Sequence, residues 1–296
     1  ERLPIMLDAT LTFLRKNRHD ISKLCHQATN VHAEGGAVNA HETAENLRSS
    51  FEIIIVDDGS VDGTADVVKK YAAKVAASES QDVLRLVTMN TNSGKGAAIR
   101  SGMLRSSADF CLMVDADGAT DICDLINLLK EMVSIAHRSQ KITDVAQQQD
   151  NKIVQGNVSD CNEIPAMVIG SRAHLESNIE RSKVRTFLMH AFHFFSRNLC
   201  SKRIKDTQCG FKLFNRLAAY KVFTSLHLTR WAFDIEMVFM AEYLNFEMKE
   251  VAVNWKEIPG SKLETSKLAL ALVSLSMLRD MVKVKLCYTL GIWKIT

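Results

Sequence analysis

Two carboxylates one residue apart, Asp115 and Asp117, follow the short apolar run Cys111-Leu112-Met113-Val114 and precede Gly118. The run is too short for a helix and reads as a buried strand, and the glycine permits a sharp turn behind it. Where a strand ends, alternate residues no longer need to face opposite ways, so Asp115 and Asp117 could converge on one ligand. Two hard oxygen donors beside a turn suit Mg²⁺ or Mn²⁺ that also holds a diphosphate. An acidic surface turn is the plain alternative for this pattern taken alone.

The elements before it repeat the design. Phe51 to Val56 is β-branched and nearly all apolar, which suits a strand covered on both faces, and Asp57-Asp58-Gly59-Ser60 stands at its C-terminal end. A helix begins near Asp62-Gly63-Thr64. Val83 to Met89 is the next strand, followed by Asn92-Ser93-Gly94-Lys95-Gly96 and a helix through Ile99, Met103 and Leu104. That turn fails the G-x-x-x-x-G-K-[ST] pattern, because Met89 and Gly96 stand where Gly and Ser or Thr are required. It can still bring Lys95 and a helix N-terminus near a phosphate. Ala166 to Ile169 is a fourth strand, ending in Gly170-Ser171-Arg172. Strand ends that carry glycine with a charged group, separated by helices, predict an α/β fold with a mainly parallel sheet and one crevice at its C-terminal edge.

Around this frame, Leu3, Leu7, Leu11 and Leu14 predict an opening helix that closes near Arg15, Lys16 and Arg18. Residues 25–48, with His26, His32 and His41, read as a polar loop. A helix is expected over 121–132. Residues 133–163, with Gln147-Gln148-Gln149, show no regular period and read as a surface insertion. A basic amphipathic helix is expected over 180–205. A turn from Asp206 into a strand through Phe214, a helix from Arg230, and a strand over 251–255 follow.

At 296 residues the chain can bury a full core, and 47% hydrophobic with 24% charged residues is ordinary for a globular protein. A net charge of +3 gives no global field for nucleic acid. The seven cysteines are odd in number and form no C-x-x-C pair, which argues against a disulfide framework or a structural zinc site. No apolar run is long enough to span a bilayer, and no signal peptide is legible. With Glu at position 1, the chain reads as a fragment.

Taken in order, Asp57-Asp58-Gly59-Ser60-x-Asp62-Gly63-Thr64, Asn92-x-Gly94-Lys95-Gly96 and Asp115-x-Asp117-Gly118 resemble the family 2 glycosyltransferases of GT-A fold. Glu1-Arg2-Leu3-Pro4 is similar to the residues that directly follow that family's first strand. Asp206 to Lys212, Arg230-Trp231-Ala232-Phe233-Asp234 and Trp255-x-Glu257-Ile258-Pro259-Gly260-Ser261-Lys262 resemble the branch that glucosylates dolichyl phosphate.

The resemblance implies a GT-A domain over 1–262, lacking the family's first strand and N-terminal membrane helix and carrying insertions at 25–48 and 133–163. It implies transfer of glucose from UDP-glucose to dolichyl phosphate with inversion, in protein N-glycosylation, at the cytosolic face of the endoplasmic reticulum membrane. Asp57, Asp58, Lys95 and Asp115 are then expected on the nucleotide sugar, and Asp115 and Asp117 on Mg²⁺ or Mn²⁺. Arg181, Arg185 and Lys205 are expected on the acceptor phosphate, and Asp117, Asp234 and Arg172 as the catalytic group. Asp234 matches the position where many relatives carry a base.

Residues 263–296 are expected as amphipathic helices on the membrane surface. Leu268, Leu272, Leu275, Leu278, Val282 and Leu286 share a helical face, and residues 262–296 carry six Lys/Arg against two acids. A dolichyl-phosphate mannosyltransferase-like or other polyprenyl-phosphate glycosyltransferase and, outside that class, a Mg-dependent phosphatase are the alternatives. The phosphatase would need Asp115-x-Asp117 near its first strand, whereas two strand-turn-helix units precede it. A calcium loop is excluded because Thr120 and Ile126 stand where Gly and Glu are required.

Overall fold

The computed structural model describes residues 2–29, 50–78, 80–149, 164–178, 195–258 and 267–295. The chain opens with two helices, α1 (Arg2–Lys16) and α2 (Arg18–Thr29). Then β1 (Glu52–Asp57), α3 (Thr64–Ala76), β2 (Val83–Thr88), α4 (Lys95–Met103) and β3 (Phe110–Val114) alternate as the glycine turns predict. The long helix α5 (Leu125–Gln149) leads toward β4 (Ala166–Ser171). The second half contributes β5 (Phe211–Asn215), α6 (Arg216–Ser225), α7 (Phe233–Tyr243), β6 (Glu247–Ala252) and the C-terminal α8 (Lys267–Thr289).

β1 and β2 pair in parallel, with Glu52 opposite Val83 and Asp57 opposite Thr88. The other four strands form a sheet in the order β3-β5-β4-β6. β4 and β6 are parallel, but β5 runs antiparallel to both β3 and β4. β3, β4 and β6 thus run the same way and β5 is the one reversed strand of this sheet, so the mainly parallel arrangement holds with β5 as its exception. β5 is entered from a turn at Thr207–Gly210 and runs back between β3 and β4.

One apolar core lies between this sheet and α6, α7 and α8, with Phe214, Phe223, Phe233, Met240 and Val284 buried. A second, built on Leu128, Leu129, Val168, Phe211 and Leu213, lies under α5. Leu7, Val68, Val75 and Leu84 join α1 and α3 to the two-stranded sheet.

Three local expectations need correction. Residues 25–29 belong to α2, and residues 133–149 continue α5, so neither stretch is loop. Ala, Lys, Arg and Gln are good helix formers even where they show no apolar stripe. Packing decides the rest, since Ile21, Leu24, Cys25 and Ala28 lie against the cluster that holds Met132 and Ile135. The helix expected over 180–205 is helical at 195–199 and has ended before Ser201. The Ser201 hydroxyl accepts from the backbone N–H groups of Arg203 and Ile204 at 3.1 and 3.3 Å, a local alternative to helix continuation. Residues 30–49, 150–163, 179–194 and 259–266 lie outside the described residues, and with them His32, His41, Arg181 and Arg185.

Candidate active site

The charged strand ends meet at one rim. Asp57 is buried at the end of β1, its Oδ1 accepting the backbone N–H of Ser60 at 2.9 Å. Asp58 reaches across to the turn before α4, where Oδ1 accepts the Ser93 N–H at 2.7 Å and Oδ2 accepts the Gly94 N–H at 2.8 Å. A carboxylate with both oxygens on backbone donors fixes that turn while keeping lone pairs for a ligand N–H or O–H.

Gly94 has φ +100°, and any Cβ there would stand 2.6 Å from the Thr229 carbonyl oxygen. The turn is thereby wedged against the segment that leads into α7. The Ala97 N–H donates to that same carbonyl at 3.1 Å.

From the turn, Lys95 extends over to Asp115. Its Nζ lies 2.8 and 2.9 Å from the two carboxylate oxygens, and 6.0 and 5.9 Å from the ring centres of Trp231 and Phe233. β3 delivers Asp115 to this point. Val114 pairs with Phe211 on β5, and the Asp115 N–H donates to the Gly210 carbonyl at 3.1 Å. A Cβ on Gly210 would fall inside van der Waals contact of the Asp115 carboxylate, so glycine is needed there for close approach. Asp117 sits in the turn that Gly118 makes with φ +75°, and its Oδ1 accepts the Ala119 N–H at 2.9 Å. The turn is anchored to the end of β6, where Thr120 bridges Trp255 and Asp124 accepts the Asn254 N–H at 2.6 Å.

The donor set fits a divalent cation completed by a ligand. Asp115 already holds a cation, the Lys95 ammonium, and Asp117 keeps Oδ2 in addition to the oxygen used in its turn. Two carboxylates with substrate phosphate oxygens are the usual surroundings of Mg²⁺ in nucleotide sites. Among the described residues, no group of three or more His, Cys, Asp or Glu side chains forms a metal cage of its own.

On the far side of the rim lies Arg172, which ends β4. Its Nε and Nη2 both donate to Asp206 at 2.8 Å, its backbone N–H adds a third bond at 2.9 Å, and the guanidinium stands 5.5 Å from the Trp255 ring centre. Burial opposes ionisation of Asp206, but Arg172 outweighs it and holds the carboxyl below the usual carboxylate range.

A carboxyl lowered by folding adds stability above its unfolded pKa and loses it as pH falls through the folded one. The advantage of the unaltered protein over Asp206→Asn in urea midpoint is therefore expected to shrink between about pH 5 and about pH 2, around the ordinary aspartate value. A constant difference across that range would contradict the pairing.

Lys205, the neighbour of Asp206, is exposed, and the N–H groups of both residues donate to Glu250 at 3.0 and 2.9 Å.

Sequence reasoning passed over Lys212. It lies on β5 with no solvent exposure, and its Nζ contacts Asp234 Oδ1 at 2.5 Å and the Cys209 carbonyl at 2.6 Å. Burial raises the Asp234 carboxyl, against the opposing pull of Lys212 and Lys95. The signal in the sequence was a single Lys inside Phe211-Lys212-Leu213-Phe214, a strand otherwise apolar enough to be buried on both faces. Such a lysine needs an acidic partner, but nothing local says which acid.

A family model described as glycosyl transferase family 2 matches residues 34–223. The dolichyl-phosphate beta-glucosyltransferase of Dictyostelium discoideum is 39% identical over 99% of this chain and 73% of its own length. The human protein of the same name is 37% identical over 100% of this chain and 74% of its own. Among solved structures, mannosyl-3-phosphoglycerate synthase from Rubrobacter xylanophilus aligns at 15% identity with a TM-score of 0.48, over 82% of this chain and 65% of that one. That likeness is too slight to carry any detail of the site.

Proposed function

The chain belongs to the family 2 glycosyl transferases, and we propose that it transfers glucose from UDP-glucose to dolichyl phosphate with inversion. The observation that carries this reading is the convergence of Asp58, Lys95, Asp115 and Asp117 on one rim, joined by the Lys95–Asp115 ion pair. It has the polarity a nucleoside diphosphate sugar requires: carboxylates for uridine N–H and O–H groups, and an ammonium beside the diphosphate.

Asp57 and Asp58 then face the uridine. Asp115 and Asp117 would hold Mg²⁺ or Mn²⁺, which when bound offsets the charge growing on the departing diphosphate. Lys95, seated on Trp231 and Phe233, donates to the same phosphates from the protein side.

The acceptor phosphate is anionic at neutral pH, so its oxygen attacks the anomeric carbon without a base. The new C1–O bond forms as the bond to UDP breaks, and the electron pair leaves on the diphosphate. Attack from the face opposite UDP converts the α-linked donor to a β-linked product. Asp234 is engaged by Lys212, so its place in this scheme is as a charge partner and not a proton acceptor.

Two anions must nonetheless be brought together. Arg172 uses Nε and Nη2 on Asp206, and its remaining N–H groups can meet the acceptor phosphate. Lys205, exposed beside Asp206, adds a further cation in this reading.

α8 supplies a surface for the lipid. Leu272, Leu275, Val282 and Leu286 are exposed on it, while Met281, Val284 and Tyr288 are buried. Lys283 and Lys285 are exposed beside that outward stripe. No described helix is long and apolar enough to cross a membrane. An apolar stripe flanked by lysines suits a helix lying on an anionic leaflet, consistent with work at the cytosolic face of the endoplasmic reticulum.

The test is a panel of UDP- and GDP-sugars with dolichyl phosphate and Mn²⁺, using the full-length protein and identifying the product lipid. Dolichyl glucosyl phosphate from UDP-glucose is expected. A mannosyl product from GDP-mannose alone would replace the donor reading, and no glycolipid from any donor would end it.

A further inference from the structure

Glu236 follows Asp234 by two residues on α7 and is fully buried. Both of its oxygens are occupied. Oε1 accepts the backbone N–H of His227 at 2.9 Å and the Tyr288 hydroxyl at 2.8 Å, and His227 Nδ1 stands 3.1 Å away. Oε2 accepts the backbone N–H of Leu228 at 2.6 Å.

The segment so held is the one packed on the nucleotide turn. A Cβ on Gly96 would stand 2.6 Å from the Leu228 carbonyl oxygen, and the Thr229 carbonyl accepts from Ala97 at 3.1 Å. Two residues later Trp231 offers its ring to Lys95. In the other direction, Tyr288 belongs to α8, and Trp293 just beyond that helix stacks on His227 with ring centres 4.3 Å apart.

We propose that Glu236 is a positioning residue for the donor site. It clamps residues 227–231 onto Gly94-Lys95-Gly96, so that the Lys95 ammonium is set at Asp115, and through Tyr288 it links that turn to the seating of α8. A buried carboxylate is costly to desolvate and is retained where its donors fix one backbone conformation. Here the donors come from one loop and one helix, and the loop touches the turn that carries Lys95. This inference rests on the UDP-glucose reading of the rim.

The experiment uses the full-length protein, with Glu236→Gln, Tyr288→Phe, Lys95→Ala and the double variant Lys95→Ala/Glu236→Gln. Glutamine sets an amide N–H₂ against one of the two backbone N–H groups and frees the loop. Glu236→Gln is expected to raise the KM for UDP-glucose and the Kd for UDP about tenfold, the equivalent of one charge-assisted hydrogen bond. The KM for dolichyl phosphate should change by less than the KM for UDP-glucose. Tyr288→Phe, which keeps the ring and leaves both loop N–H bonds to Glu236 in place, should act in the same direction by about threefold.

In the Lys95→Ala background, Glu236→Gln should add less than about twofold, because both act through one ammonium. Effects that multiply in the double variant, or a fall in kcat with both KM values unchanged, overturn the proposal. If Glu236→Gln does not fold, an unaltered KM for UDP-glucose in folded Tyr288→Phe overturns it as well. An unmodified protein that fails to bind UDP-glucose overturns the donor reading and this inference with it. An active protein whose variants keep their donor KM overturns this inference alone.

Discussion

Replacing Asp117 by alanine is expected to lower glucosyl transfer by about 100-fold or more, the scale of losing one electrostatic partner of the transition state. The fold should survive. Asp117 is half-buried, and its structural bond is the one from the Ala119 N–H at 2.9 Å inside its own turn, worth about 1 kcal/mol. The turn has other anchors, namely the Thr120–Trp255 bridge and the Asp124–Asn254 bonds.

Calorimetric titration with UDP separates the causes. With Mn²⁺ the unaltered protein should bind UDP more tightly than with chelator, and Asp117→Ala should lose that difference. Full activity in the variant would move the cation to other residues. Asp115→Ala is a poorer test, since it also releases Lys95 and removes the group that Gly210 accommodates.

The largest stability effect is expected at the buried pair beside the site. Lys212→Met should cost about 3–5 kcal/mol in urea unfolding, because it removes the ammonium that neutralises the buried Asp234 carboxylate. Most of that loss is desolvation of the orphaned charge and not the worth of the pair. Two expectations follow from this. Lys212→Met/Asp234→Leu should recover much of the stability, since an apolar pair of similar volume is often neutral or better. The deficit of the single variant should also narrow as pH falls toward about 4, the ordinary aspartate value, because burial already favours the protonated carboxyl in the folded chain and below that pH the unfolded chain is protonated too. A loss below about 1 kcal/mol at neutral pH would mean that the ion pair is not the arrangement adopted in solution.

The alternation of β1, α3, β2, α4 and β3 was legible because each step is local. β-branched runs set the strands, and glycines mark the turns. The exit of each strand carries its own acid or lysine. The loop read over 25–48 begins as helix at 25–29, and the stretch from 133 read as irregular is helix to 149, for the opposite reason. Their helices are stabilised by packing on each other: Ile21, Leu24, Cys25 and Ala28 form a short apolar face that continues past where the sequence turns polar, and it is covered only where it meets Met132 and Ile135.

The site divides along the same line. Asp57, Asp58, Lys95, Asp115 and Arg172 were found as single residues at strand and helix ends, and the structure supplies what they touch. Lys95 is on Asp115, Asp58 on the turn below Lys95, and Arg172 on Asp206, 34 residues away.

The Asp115-Ala116-Asp117 turn and the strand before it were determined by the sequence itself, since the backbone chemistry of a short apolar run and a following glycine needs no distant partner. Tertiary structure alone decided that β5 runs antiparallel beside β3. That choice puts Gly210 against Asp115 and buries Lys212 within reach of Asp234. Strand direction and charge pairing in a core depend on which surfaces must be covered and which buried charges must be neutralised together. Those are properties of the whole packed chain and not of any stretch within it.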